Sequence, residues 1–387
     1  MKPTFQLGRI GGIAIGIHYS LFLAAILIAW SLAVSFFPYY FPEWSKTQYW
    51  SIGVVAAILL FASVLIHELA HSFVAIARGH EITGITLFIF GGVSNIKAMD
   101  ETARDEFVIS VVGPITSAIL GGISLAIWMA ARAADASLSG PLAGLFLYLA
   151  LVNLLLAAFN ILPGFPLDGG RVFRSIVWMI TGNVVRATDI AATVGSFFGW
   201  ALILGGVIIV FMGDFISGIW LGLIGWFLWS AAGSTRTQVQ MEHVLKGLLV
   251  QQIMEADPPR IQGSLPIDAL VRQYFVLQGR NAVLVNSETG LGGIVTLTDL
   301  NRRLKFRQPD TVQARDIMTP APLISVEASA PVIEALQTMQ EKGIKHLVVT
   351  REGAMSGMIT LESMQRYFRA MRIAKPESRG TLRPPTG

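Results

Sequence analysis

Residues 51–78 read SIGVVAAILLFASVLIHELAHSFVAIAR, an apolar run that carries charge near its end. A helix needs about 20 residues to cross roughly 30 Å of hydrocarbon, and this run is longer than that. His67, Glu68 and His71 fall within one turn of the same predicted helix. Because ionisable groups inside a bilayer are costly, the segment predicts a membrane helix that carries a functional site.

The rest of the N-terminal part is similarly apolar. The chain has 387 residues, of which 53% are hydrophobic and 14% charged, and its mean hydropathy is +0.59. Such a composition is too apolar for a protein that folds in water alone. Further runs of spanning length lie near residues 19–37, 107–131, 142–162, 190–212 and 214–232. We therefore predict a polytopic α-helical protein with about six spans in a lipid bilayer.

The charged residues between these runs predict the orientation. Lys2 and Arg9 precede the first run, which has no small-residue cleavage site, so it is expected to be a retained helix rather than a signal peptide. Alternating the spans from a cytoplasmic N-terminus leaves only Lys46 and Arg132 of the loop cations outside, and the other loop cations inside. The pattern predicts a multi-pass cell-membrane protein with both termini in the cytoplasm.

Charge and cysteine content separate two kinds of domain. Residues 1–232 hold 10 of the 29 Lys and Arg residues and 11 of the 25 Asp and Glu residues, so the net charge of +4 belongs to the C-terminal part. The chain has no cysteine, which excludes disulfides, thiolate metal sites and cysteine nucleophiles. Any metal must therefore bind to His, Asp or Glu.

The histidines of the second span have the spacing of a zinc site. His67 and His71, at i and i+4, lie on one helix face and can reach one Zn²⁺, while Glu68 beside them can handle protons. A catalytic zinc takes three protein ligands and keeps one open position. Asp168, in the segment NILPGFPLDGGR at 160–171, is the candidate for the third ligand. The alternative is that this Pro- and Gly-rich segment forms an ordinary interfacial turn.

Four motifs in this order resemble the site-2 protease family of intramembrane zinc metalloproteases. They are His67-Glu-x-x-His71, Phe90-Gly-Gly92, Gly113-Pro114 and Asn160-x-x-Pro163-x-x-Pro166-Leu-Asp168-Gly-Gly-Arg171. The resemblance implies that His67, His71 and Asp168 bind one zinc ion per chain. It implies that Glu68 is the general base toward water and then the general acid toward the leaving amine. Asn160 would steady the oxyanion, although an amide also commonly caps or bridges membrane helices.

Residues 81–97 predict a strand, a turn and a strand, because β-branched residues flank Gly91 and Gly92. The family resemblance implies that this membrane-associated β-hairpin pairs with an extended, locally unwound substrate; the alternative is that it plugs the site. The implied substrate is a single-span membrane protein, such as a membrane-tethered transcription regulator or a signal-peptide remnant. The implied process is regulated intramembrane proteolysis, often after another protease has trimmed the substrate.

The C-terminal part contains an internal repeat. Residues 251–254, 281–286 and 293–296 resemble residues 315–318, 345–350 and 357–360, an offset of about 64 residues. The repeat resembles a tandem CBS pair, an α/β module that is expected to be cytoplasmic. The predicted domains are a protease domain at 1–232, a linker helix at 233–247, a CBS pair at 248–370 and a disordered tail at 371–387. Within the pair, the two repeats are expected at 248–307 and 312–370.

The signature Gly-x-x-Thr-x-x-Asp is complete only in the first CBS repeat. Thr296 and Asp299 would hold the ribose and phosphate of an adenine nucleotide (ATP, ADP or AMP), whereas Ser363 replaces the carboxylate in the second repeat. The alternative is a purely structural dimerisation pair. The Gly-x-x-x-Gly spacings at 195–199 and 218–222 are compatible with a homodimer. The alternative is that they pack two spans of one chain together. Nucleic acid is not an expected partner, because the positive charge belongs to a folded repeat.

Two functions other than proteolysis fit the sequence less well. A CBS-regulated transporter or channel would need polar groups along a route through several spans, whereas here they concentrate around His67 and Asp168. An inactive scaffold is disfavoured because Glu68 and all three candidate ligands are present. The remaining histidines His80, His243 and His346 are expected to be solvated at membrane or domain surfaces.

Overall fold

The computed structural model describes residues 3–89, 91–96, 102–134, 140–287, 290–303 and 312–374. The chain divides into two compact units, Met1–Val239 and Gln240–Gly387. Phe90 of the predicted hairpin motif lies outside the described residues, as do residues 375–387 of the predicted tail.

Helices dominate the first unit. Six of the described helices are long and apolar enough to cross a membrane, which confirms the predicted number of spans. They are α1 (Ser20–Tyr40), α2 (Lys46–Ala77), α3 (Ala103–Ala134), α4 (Pro141–Asn160), α6 (Val184–Phe211) and α7 (Phe215–Leu245).

The start of α2 is set by a capping box. The Ser45 hydroxyl accepts from the Gln48 N–H at 3.3 Å, and the Gln48 side chain accepts from the Ser45 N–H at 2.8 Å. These bonds satisfy two of the N–H groups that the first turn of a helix leaves without partners. The helix therefore begins before the apolar run does, and it continues past the histidines to Ala77.

A four-stranded sheet packs against the first two spans. Its strands β1 (Phe5–Ile10), β2 (Ile13–Ile17), β3 (Ile82–Phe88) and β4 (Gly91–Ile96) lie in that order across the sheet. The predicted hairpin at 81–97 is therefore only half of a sheet, because β2 pairs in parallel with β3 and β1 completes the other edge.

The sheet is anchored by a small apolar core. Ile13 and Ile15 of β2 and Ile85 of β3 are buried against Leu21 of α1 and Leu69 of α2. Leu69 lies between the two histidines of α2. The sheet is therefore held against the helix turn that carries the candidate zinc ligands, and β4 is its outer strand on that side.

A short amphipathic helix, α5 (Asp168–Thr181), follows α4. The turn that the prolines predicted is confined to residues 161–167, so Asp168 is the first residue of a helix rather than part of the turn. Gly169, Gly170 and Ser175 are buried on this helix. The sequence pattern did not predict α5.

Spans α6 and α7 approach closely at glycines. A Cβ built on Gly199 would lie 2.8 Å from the Gly225 carbonyl oxygen, and one built on Gly218 would lie 2.5 Å from that of Gly206. These glycines therefore let α6 and α7 of one chain pack closely together, as one of the two interpretations of the spacings predicted. The homodimer stays a prediction.

The second unit consists of two similar α/β repeats. The first has β5 (Arg260–Gln262), α8 (Ile267–Leu270, continued by a π turn at Val271–Val276), β6 (Ala282–Ser287), β7 (Gly290–Thr296) and α9 (Leu297–Arg303). Next along the chain come α10 (Ala314–Ile317) and β8 (Thr319–Pro320). The second has β9 (Ser325–Glu327), α11 (Val332–Lys342), β10 (His346–Arg351), β11 (Ala354–Thr360) and α12 (Leu361–Ala374).

The strand registers confirm the repeat. Ala282 pairs with Thr296 in the first hairpin, and His346 pairs with Thr360 in the second, which preserves the 64-residue offset. Both hairpins also carry a bulge at the equivalent place.

The repeats exchange the segments that precede them. Thr319, which precedes the second repeat, pairs with Ile294 of the first, whereas Glu255, which precedes the first, bridges to Met358 of the second. The core of each repeat is thus completed by a segment that a linear division would assign to the other.

Candidate active site

The three predicted zinc ligands come together from two helices. Their side-chain donor atoms all lie within 4.8 Å of one another. The Nε2 atoms of His67 and His71 are 3.2 Å apart, and Asp168 Oδ2 lies 3.1 Å from the first and 3.2 Å from the second. Asp168 reaches them because it is the first residue of α5, whereas both histidines lie on one face of α2. The structure thus brings together residues 97 and 101 positions apart.

Hydrogen bonds on the other ring nitrogens orient both imidazoles. The Nδ1–H of His71 donates to the Ile109 carbonyl oxygen at 2.6 Å, and His67 Nδ1 lies 2.9 Å from the Ser117 hydroxyl. Because a carbonyl oxygen can only accept, the proton of a neutral His71 ring is on Nδ1 and its Nε2 carries a lone pair. Both partners lie on α3. This helix therefore aims the two rings toward Asp168.

The charges and lone pairs of this cluster call for a cation. His67 and His71 are 4% and 9% exposed, so water cannot satisfy their Nε2 atoms freely. Neutral imidazole lone pairs repel a carboxylate that faces them, and a proton or a metal cation among them removes this repulsion. Two imidazoles with one carboxylate form a donor set that fits catalytic zinc, which takes three protein ligands. The residues present therefore fit the metal that the sequence predicted.

Glu68 lies beside the cluster, half-buried against the sheet. Its Oε2 is 3.5 Å from the Ser94 hydroxyl on β4, at the outer limit of a hydrogen bond. A Cβ built on Gly92 would lie only 2.4 Å from Glu68 Cγ. Glycine at this position lets β4 pass directly over the carboxylate, so the outer strand and the candidate base share one face of the site.

Gly113 is a site residue whose role the sequence did not reveal. A Cβ built on Gly113 would lie 2.1 Å from His71 Nε2 and 2.7 Å from His67 Nε2. No side chain fits there while the rings keep their positions. The Gly113-Pro114 motif marked this glycine in the sequence, but the sequence did not show which helix the glycine faces.

Asn160, the predicted oxyanion residue, is half-buried at the last position of α4. A second asparagine on the same helix shows how α4 is aligned with α2. Asn153 Nδ2 donates to Ser63 Oγ of α2 at 3.2 Å, so these two residues lie at the same height along their helices. The helices α2 and α4 run in the same direction, since each is antiparallel to α3. Seven residues along α4, about 10 Å, bring Asn160 to the level of the turn between His67 and His71.

The other two histidines of the first unit, His18 and His80, lie outside the zinc cluster. His18 Nδ1 lies 2.9 Å from the Ser20 hydroxyl, which accepts from the Ile89 N–H at 3.2 Å, so this pair links the start of α1 to the turn after β3. The prediction that His80 is solvated is wrong, because its residue is 6% exposed. His80 follows α2 directly and is enclosed where the chain turns into the sheet.

In the second unit, Thr296 and Asp299 contact each other. Asp299 Oδ2 accepts from the Thr296 N–H at 3.0 Å and from the Thr296 hydroxyl at 2.7 Å, while its Oδ1 lies 3.3 Å from the Thr319 hydroxyl. These bonds form a cap at the start of α9. Thr360 and Ser363 cap α12 in the same way.

Comparison with known proteins places the chain in a family. The model described as Peptidase family M50 matches residues 55–202, and the CBS domain model matches residues 314–370. A Mycobacterium tuberculosis protein named as zinc metalloprotease Rip3 is 32% identical over 99% of this chain and 98% of its own length. The chain belongs to peptidase family M50.

Two further proteins are similar to this chain over different extents. A protein of Synechocystis named as a zinc metalloprotease is 30% identical over 94% of this chain and 95% of its own length. The solved structure of the site-2 protease from Methanocaldococcus jannaschii is 31% identical, covers 60% of this chain and 94% of its own, and superposes with a TM-score of 0.43. The M50 family and the full-length relatives favour hydrolysis over the transporter alternative, and this M50 chain is a zinc metalloprotease with a CBS pair.

Proposed function

We propose that this chain is an intramembrane zinc endopeptidase that hydrolyses peptide bonds within or near the membrane span of a single-span protein. The observation that carries the proposal is the convergence of His67 Nε2, His71 Nε2 and Asp168 Oδ2 within 3.2 Å of one another in a buried setting. These three residues would hold one Zn²⁺ per chain.

The roles of the neighbouring residues follow from where they lie. When bound, zinc polarises a scissile carbonyl and lowers the pKa of water. Glu68, on the same helix turn as the ligands, takes a proton from the attacking water and delivers it to the leaving amine. Asn160, at the level of that turn, donates its amide N–H to the oxyanion.

The substrate is proposed to bind as an extended strand. In the described sheet β4 pairs only with β3, so its other edge has N–H and C=O groups to offer. The same strand passes over Glu68 at Gly92. A substrate segment that has unwound from its helix and added to this edge would lie next to the base. With the predicted orientation, both termini and the CBS pair face the cytoplasm.

The cleavage experiment uses the full chain in detergent or liposomes with a reporter that contains one apolar span. The wild-type protein is expected to contain about one zinc per chain and to cleave the reporter. Glu68→Gln keeps the shape and the zinc but removes the base, so cleavage should fall by about 10²- to 10⁴-fold. Undiminished cleavage by this variant, or a wild-type protein without zinc, would contradict the proposal.

For the CBS pair we propose one adenine-nucleotide site, formed by Thr296 and Asp299. The contact of Thr319 with Asp299 Oδ1 is long at 3.3 Å, and a ribose hydroxyl could replace it. Ser363 in the second repeat offers no carboxylate. Calorimetry on the full chain with ATP, ADP and AMP should give one site per chain that Asp299→Asn removes, whereas heat no greater than dilution would leave a structural pair.

A further inference from the structure

A buried ion cluster lies outside the proposed zinc ligands. Glu106, in the first turn of α3, is completely buried. Its Oε1 accepts from Arg174 Nε at 2.7 Å and from Arg174 Nη2, and Arg171 Nε lies 3.7 Å from the same oxygen. The mechanism proposed above uses none of these charges. A fully buried carboxylate with two guanidinium groups beside it therefore needs another explanation.

Both arginines belong to the helix that carries Asp168. They follow it at i+3 and i+6 on α5, so the ion cluster is within two turns of the carboxylate. The Arg174 guanidinium also lies 5.2 Å from the centre of the Phe165 ring, in the turn directly before Asp168. Arg174, which follows the proposed ligand on α5, therefore also contacts the turn that precedes it.

Glu106 belongs to the helix that orients the histidines. It precedes Ile109 by one helical turn, and the Ile109 carbonyl oxygen accepts from His71 Nδ1 at 2.6 Å. The two proposed ligands His71 and Asp168 are thus connected by a route outside the metal: from His71 to Ile109, along α3 to Glu106, across the ion pair to Arg174, and along α5 to Asp168.

We propose that Glu106 and Arg174 are positioning residues, whose ion pair holds α5 against α3 so that Asp168 meets the two imidazoles. Because removing one member of a buried pair leaves the other charge without compensation, α5 would shift when Glu106 is neutralised. A shift of the first turn of α5 moves the carboxylate directly. This inference rests on the zinc centre proposed above.

The test compares zinc affinity and ligand geometry in the full-length protein. Zinc binding is measured by competition with a chromophoric chelator, and geometry by the visible absorption of the cobalt(II)-substituted protein. Glu106→Gln should weaken zinc binding by about 10-fold, the lower end of the range for residues that orient ligands, and change the intensity of the cobalt bands. Wild-type protein that binds no zinc would remove the proposed function itself, whereas wild-type-like values in Glu106→Gln would overturn only this inference.

Asp105→Asn is the matched control. It makes the same carboxylate-to-amide change one residue earlier and breaks the ion pair of Asp105 with Arg78, whose side chains are 22% and 41% exposed. Zinc affinity and cobalt bands should stay as in the wild type. If Asp105→Asn changes them as much as Glu106→Gln does, the effect comes from general damage to α3 and the inference is wrong.

Two further variants separate positioning from folding. Glu106→Asp keeps the charge and should restore most of the zinc affinity and the cobalt spectrum, even if Glu106→Gln yields no folded protein. In the double variant Glu106→Gln, Arg174→Gln, the losses should not add, because both single changes break one interaction. Additive losses, or a folded Glu106→Asp protein that recovers neither the zinc affinity nor the cobalt spectrum of the wild type, would contradict the proposed positioning role.

Discussion

The two candidate ligand sites of this chain differ in whether their polar atoms already have partners. In the first unit, His67, His71 and Asp168 direct acceptor atoms at one another. In the second unit, both oxygens of Asp299 accept from groups of the protein itself. The first arrangement presents acceptor atoms to a shared proton or cation, whereas the second is a helix cap that is complete within the protein. The zinc site is therefore the stronger inference of the two.

The largest expected effect on zinc binding comes from replacing Asp168, one of the three converging acceptors, because this removes the feature that distinguishes the first site from the second. Asp168→Asn exchanges an anionic oxygen for an amide of the same size, so the bundle should fold while the ion loses a charged ligand. We expect zinc binding to weaken by more than about 100-fold, the upper limit for residues that only orient ligands. Zinc content by atomic emission and reporter cleavage measure the effect together. Retained zinc with full cleavage would show that Asp168 is not a ligand.

The next largest effect on zinc binding is expected from filling the space beside the two imidazoles. Gly113→Ala would place a methyl group 2.1 Å from His71 Nε2, so the ring must turn away. Zinc affinity is expected to fall by about 10- to 100-fold. Gly122→Ala on the same helix is the control, because a Cβ there meets nothing within 4 Å. This control should keep its zinc and gain slightly in stability, as alanine in a helix usually does. Equal zinc affinity in both variants would contradict the proposed geometry.

The caps of the second unit test the other half of the contrast. Thr296→Ala and Thr360→Ala each remove the hydroxyl that accepts from the N–H three residues later. Each should cost about 1 kcal/mol of unfolding free energy and leave zinc binding unchanged. Only Thr296→Ala should also weaken nucleotide binding. Denaturant unfolding followed in the second unit measures the first effect. Loss of nucleotide binding in both variants, or in neither, would contradict a single site at Thr296.

The smallest expected effect concerns His346, which is half-buried rather than solvated as the sequence suggested. Burial and the adjacent Lys345 lower its pKa, although Glu362 and Asp299 act in the opposite direction. A lowered pKa means that the folded state prefers the neutral ring. Stability from this group is therefore complete above the unfolded pKa of about 6.5 and falls as the pH drops below it. His346→Gln should flatten the pH dependence of the unfolding midpoint between about pH 7 and 5. An unchanged slope would contradict the assignment.

Much of the first unit could be predicted because its signals are local. Apolar runs reveal spans, and the i, i+4 spacing of His67 and His71 places both on one helix face. The strands β1 and β2 were missed because residues 5–17 are apolar and glycine-rich, and they precede a span directly. Helix α5 was missed because its first residues, Asp168-Gly-Gly, have the composition of a turn.

The contacts that organise the site could not be read from the sequence. Glu106 and Arg174 are 68 positions apart, and no local pattern connects them. The Gly113-Pro114 motif was visible in the sequence, but the sequence did not reveal that the imidazoles lie against Gly113. In the second unit the 64-residue offset was visible, whereas the exchange of Thr319 and Glu255 between repeats depends on pairing across the module. Local patterns specify elements, and long-range pairing specifies sites.

X-ray absorption at the zinc K-edge of the purified full-length protein would test the proposed zinc centre without relying on a substrate. We predict about one zinc per chain, with two imidazole nitrogens and one carboxylate oxygen at about 2.0–2.2 Å and one further light ligand from solvent. The Asp168→Asn protein should lose this signal. A wild-type spectrum without imidazole scattering, or a wild-type protein that binds no zinc, would contradict a zinc centre at His67, His71 and Asp168.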